Sequence, residues 1–157
     1  MDGDNSELIL EAVLATHKQQ LQTLRQRRLS LLRVARLNII LLSILIAIAG
    51  VTLQAQLPIG FSELLLPIGL EVAAIVLAVV KYKGFGEHWG FGLDREVTAE
   101  MNAIPRDSAL EELVGIYQAA SEENKNELKA IDRWIFRIIM IMCASFGSLL
   151  GLIVLST

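Results

Sequence analysis

Apolar and polar residues are sorted into blocks along this chain rather than mixed. From 37 to 62 no side chain is charged, and 37–55 is dense in Ile, Leu and Ala. At about 1.5 Å per residue, such a run crosses most of a ~30 Å hydrocarbon core. A second apolar run, 64–80, is interrupted by Glu71, and a third, 138–157, is uncharged throughout. Three membrane spans are expected: a hairpin of 37–55 and 64–80, then a single return. In the connector, Pro58 and Gly60 stop the first helix, and Ser62 or a neighbour caps the next.

The polar blocks carry a helical period. Read as heptads, the N-terminal block has Leu10, His17, Leu24 and Leu31 at a, with Leu14, Leu21, Arg28 and Ala35 at d. Six of these eight are apolar, so 1–36 is expected to be an amphipathic helix that continues into the first span. Asp4, Asn5 or Ser6 would cap it. A second such helix is expected from Asp107 into the third span, started by the capping box Ser108-Ala109-Leu110-Glu111 after Pro105. Its a and d positions are Leu110, Val114, Tyr117, Ser121, Asn124, Leu128, Ile131 and Ile135, with Asn124 as a polar register residue. These coiled-coil-like helices can pack on each other or on further copies, or their groove can receive a ligand or partner.

Charge adds the topology. All 14 basic residues fall before the first span or between the second and third, and none lies in the short connector or at the C-terminal end. The positive-inside rule then puts 1–36 and 81–137 in the cytoplasm, and the connector and C-terminus outside, in a multi-pass cell-membrane protein. The polar N-terminal block does not fit a secretory signal, so the first apolar run is read as a retained span.

Composition supports the class: 54% hydrophobic residues and 11 glycines make about 61% of the chain, against roughly 45–50% for soluble domains. A single cysteine, Cys143, and two histidines exclude a disulfide framework and a Cys-rich zinc site. A net charge of -3, without a basic stripe, gives no sign of nucleic-acid binding. No nucleophile, phosphate-loop or dinucleotide motif occurs, so the expectation is a non-enzyme without metal or cofactor.

Four features remain as candidates for function. Glu71 is the one ionisable side chain inside an apolar run, and a charge at a span centre costs at least ~2.5 kcal/mol on the insertion scale. If the helix starts near Glu63, Glu71 is near the midplane, with Ser145, Ser148 or Ser43 as partners; if it starts at Pro67, Glu71 lies one turn in. It is either a buried packing residue or a pathway-lining carboxylate. Gly147, Ser148 and Gly151 form a small-residue face suited to helix packing, within the chain or between copies. His88 and Trp89, between two Gly-Phe-Gly triplets, belong to an interfacial anchor or to a gate loop with glycine hinges. Arg33, Arg36 and Arg137 are placed to reach lipid phosphates, and Cys143 reads as a small residue packed in the membrane.

Arg33 and Arg36 before the first span, and Leu113, Tyr117, Ala120, Asn124, Lys129 and Ala130 leading into the third, give a layout that resembles small prokaryotic membrane proteins and, more loosely, the SLATT-type effectors. The resemblance covers most of the chain in layout, although the third span departs from the two-span SLATT pattern. It implies an oligomeric membrane effector, pore-forming in antiviral defence, answering to a cytoplasmic protein or nucleotide-signal partner. The competing expectation is an accessory subunit of a larger membrane complex or transporter.

Overall fold

The computed structural model describes residues 3–55, 61–88 and 103–156. Trp89, the second Gly-Phe-Gly triplet and the connector residues Pro58 and Gly60 lie outside the described residues. The described chain is helical: α1 is Gly3–Ala55, α2 is Phe61–Gly84 and α3 is Arg106–Ser156. Each contains a stretch long and apolar enough to cross a membrane, with mean hydropathy between 2.1 and 2.3 in its most apolar window. Polar and apolar blocks join without a break in α1 and α3, which have 53 and 51 residues.

Helix starts differ from the expected ones. Because α1 begins at Gly3, Asp4, Asn5 and Ser6 lie inside its first turn and not ahead of it. Likewise α2 begins at Phe61, which puts Ser62 within the helix. In α3 the backbone N–H of Ala109 donates to the Pro105 carbonyl at 3.0 Å, so Pro105 takes the cap position and Ser108 is already helical. Asp107 still favours the positive end of the helix dipole from within the first turn.

Burial repeats at alternating steps of three and four residues. On α1 the buried series is His17, Leu21, Leu24, Leu31, Ala35, Asn38, Leu45 and Ala49, with Arg28 and Leu42 half-buried in the gaps. The seam thus runs past the expected 1–36 helix and on through the apolar run in one register. Its beginning is weaker than expected, since Leu14 is exposed and Leu10 only half-buried. On α2 the series is Leu64, Pro67, Glu71, Ala74 and Ala78; on α3 it includes Ala120, Asn124, Ile131, Ile138, Ser145 and Leu149.

Among the described residues two compact units separate, one within Met1–Arg27 and Gly86–Ala130, the other within Arg28–Phe85 and Ile131–Thr157. On the buried seam of the first sit Leu21 and Leu24, and each fully buried leucine contributes about 1.5–3 kcal/mol relative to exposure. The second has small residues on its seams, Ala35, Ala49, Ala74 and Ala78, beside a cluster of Leu45, Leu64 and Leu149. Small residues allow close helix approach where a lipid solvent supplies no hydrophobic force between helices. Ile40, Ile46, Leu66, Val80, Phe136 and Val154 are each more than half exposed, which gives this unit an apolar exterior.

Candidate functional site

Within the second unit the site centres on Glu71. Pro67 does not start α2; it lies six residues inside it, so Glu71 is about three turns from the helix start and not one. Glu71 is ten residues from Phe61 and ten from Lys81, about 15 Å from either level, in a helix ~36 Å long. Its side chain is fully buried on the same seam as Leu64 and Ala78.

Of the three serines that could have met the carboxyl, one does. Ser145 lies beside the Glu71 carboxyl, yet its hydroxyl donates to the Pro67 carbonyl at 3.0 Å. Ser148 donates to the Ser145 carbonyl at 2.7 Å, and Ser43 donates to the Ile39 carbonyl on its own helix at 2.9 Å. Both Glu71 carboxylate oxygens are therefore buried without a hydrogen-bond partner among the described residues. Asn38 repeats the theme on α1: its amide nitrogen donates to the Val34 carbonyl at 2.8 Å, while its Oδ1 is buried and has no partner. Sequence reasoning missed Asn38, although a lone Asn one residue into an apolar run, at a heptad a position, was a usable signal.

At the basic end of this unit cations lie over aromatic rings. Lys81 Nζ is 4.2 Å and Arg137 Cζ 4.8 Å from the Trp134 ring centre, and the Arg28 guanidinium is 5.3 Å from that of Tyr82. Arg28 also donates to the Tyr82 carbonyl at 3.3 Å. Such amphipathic rings and long basic chains suit the headgroup zone. Arg137 thus has a ring to rest on, beyond the lipid phosphates expected for it.

Two expectations for α3 change. Gly147 and Gly151 are exposed, and a methyl group built on either would meet nothing within 4 Å. The small-residue face is thus open rather than packed within the chain, with Ser148 at its half-buried margin. Cys143 is exposed as well, a free thiol on the helix surface and not a packed one.

The first unit places His88 and Asn124 together. The Asn124 amide nitrogen donates to the His88 carbonyl at 2.7 Å, and the His88 N–H donates to Asn124 Oδ1 at 3.0 Å. This buried side chain thereby pairs with a peptide group as a neighbouring strand would. His88 Nδ1 meets Glu123 at 2.8 Å, and Glu87 pairs with Arg25 at 3.2 Å. The segment after α2 is therefore held to both long helices at Glu87 and His88, and the glycine-hinged gate has no free start at this end. Arg106 pairs with Glu7, Ser121 donates to Gln20 at 2.6 Å, and His17 packs edge-on against Tyr117 at 5.4 Å.

Between the two helices of this unit is a groove of about 470 Å³, lined by Ile9, Ala12, Val13, Thr16, Gln20, Gln118, Ser121, Glu122 and Lys125. Its lining mixes apolar Ile9, Ala12 and Val13 with polar side chains, of which Gln20 and Ser121 are half-buried. No group of three metal-ligating side chains occurs among the described residues. The fold and these sites define a helical protein with three stretches able to span a membrane. No family model, curated protein or solved structure matches the chain.

Proposed function

We propose that the chain is a non-enzymatic, multi-pass membrane protein whose membrane spans are controlled through the polar halves of α1 and α3. The basic residues put those halves in the cytoplasm and the 56–60 connector outside. One observation carries the reading: the helices that line the groove are the same unbroken helices that become the first and third spans. A ligand or protein in the groove therefore acts on elements that continue into the bilayer. The output is a change in membrane permeability, in keeping with the loose resemblance in layout to SLATT-type effectors. Expression with a membrane-potential dye tests it; absence of depolarisation under every activating condition rules out the permeability output.

The exposed Gly147 and Gly151 favour association through the third span, which serves a homo-oligomer or an accessory subunit equally well. Gentle detergent purification separates them. A homogeneous homo-oligomer is the outcome expected of an effector, and an obligate foreign subunit that of an accessory protein.

A further inference from the structure

Buried polar groups are normally paired, and those that are not call for an explanation. Along the apolar runs of the second unit, Glu71 Oε1, Glu71 Oε2 and Asn38 Oδ1 are such atoms among the described residues, and all three are acceptors. Nothing nearby can supply the missing positive charge. The apolar run of α1 has no charged residue, that of α3 has none beyond Arg137, and the exposed Cys143 is the one other titratable group in these runs. Lys81, on α2 itself, is ten residues from Glu71 and is turned to the Trp134 ring. Ser145, beside the carboxyl, directs its hydrogen to the Pro67 carbonyl at 3.0 Å. The result is a buried group of oxygen atoms in which acceptors outnumber donors.

A site of this kind is completed by a cation. We infer that Glu71, with the Ser145 hydroxyl oxygen beside it, is an intramembrane binding site for a small monovalent cation, a proton or an alkali-metal ion. Oxygen-only ligands suit a hard cation, and a single carboxylate matches a single positive charge. A divalent ion would keep a net charge in a low-dielectric interior, where an uncompensated charge is costly. Counting antiparallel from the cluster of Leu45, Ala49 and Leu64 puts residues 38–42 level with Glu71, with Asn38 at the end of that stretch nearer the basic residues. Asn38 Oδ1 is thus a second oxygen on the route from the cytoplasmic side. Occupancy changes the charge of the seam that joins α2 to its neighbours, which gives the membrane unit two states.

The inference rests on the membrane reading, so its test separates the two. The full-length protein is reconstituted into phosphatidylcholine vesicles and floated on a density gradient; failure to float with lipid overturns the membrane reading. For floated protein, infrared spectra are recorded across a pH series, in sodium-free choline buffer and again with sodium chloride. A proton occupant gives the carbonyl band of a neutral carboxyl that is lost on raising the pH and is insensitive to sodium. An alkali-metal occupant gives a carboxylate band that shifts with sodium. Glu71→Gln removes the responding band in either case, and Ser145→Ala moves its midpoint. Should the Gln variant fail to insert, Glu71→Asp assigns the band by its displacement. A Glu71 band that changes neither with pH nor with sodium overturns the site.

Discussion

The two units bury residues at the same three-and-four spacing but pair the asparagine buried on that seam differently. In the unit of Met1–Arg27 and Gly86–Ala130, Asn124 is fully buried and both ends of its amide are bonded to the His88 peptide. In the unit of Arg28–Phe85 and Ile131–Thr157, Asn38 satisfies one end of its amide and Glu71 neither oxygen. A seam position therefore does not fix what a polar residue is for. Where a partner peptide exists, the side chain specifies which segment docks there. Where none exists, the same kind of side chain is an unmet demand, and in an apolar interior that demand is expensive.

The largest expected effect breaks the satisfied side of this contrast. Asn124→Ala removes two hydrogen bonds and leaves the His88 N–H and C=O without their partner, each orphaned group costing about 1–3 kcal/mol. Thermal unfolding of the purified protein should lose stability by about 2–6 kcal/mol on this basis, and amide exchange at residues 85–88 should accelerate. Unchanged exchange there would mean that Asn124 does not hold the segment. The unsatisfied side predicts the opposite sign. Glu71→Met deletes two orphaned oxygens and keeps the volume nearly constant, so the variant should be more stable in lipid or detergent by about 1–3 kcal/mol. A loss of stability would show that the carboxyl is held by partners after all, and the contrast between the units would fall.

Much of this was readable from residue spacing, and the limits of that reading are physical. Leu21, Leu24, Leu31 and Ala35 were assigned to one face of α1 from the heptad alone, and all four are buried. The continuation of the seam through Asn38, Leu45 and Ala49 was hidden because an apolar run offers no polar contrast by which to see a face. Pro67 left the depth of Glu71 open, since proline favours a first turn yet is tolerated within a span when neighbours compensate. The Ser145 hydroxyl bonds the carbonyl of Pro67 itself, whereas the group that a missing proline N–H releases is the carbonyl four residues earlier. Asn124 was singled out as a polar seam residue, but its partner was not legible. A periodicity states which side of a helix faces inward, and it carries no information about which distant peptide arrives there. The cap at Ser108 was misplaced for a local reason, because the carbonyl of Pro105 accepts the first helical hydrogen bond three residues earlier.

The smallest expected effect sharpens the comparison inside one short segment. Glu87 and His88 are neighbours, but Glu87 is held by the half-exposed Arg25, with 51% of its side chain accessible, whereas His88 is held by the buried Asn124. A pair that keeps much of its hydration gains little from Coulomb attraction and is screened by salt, so such pairs are worth about 0.2–1 kcal/mol. Arg25→Gln should therefore lower stability by no more than about that amount, and the difference from wild type should shrink as sodium chloride is raised. The Asn124→Ala deficit should stay constant over the same salt series, because neutral hydrogen bonds away from solvent are not screened. Thermal unfolding of both variants at low and high salt measures the two responses together. If the Arg25 deficit matched that of Asn124 and ignored salt, the anchoring of this segment would be electrostatic on its exposed side, and the buried amide would be its accessory.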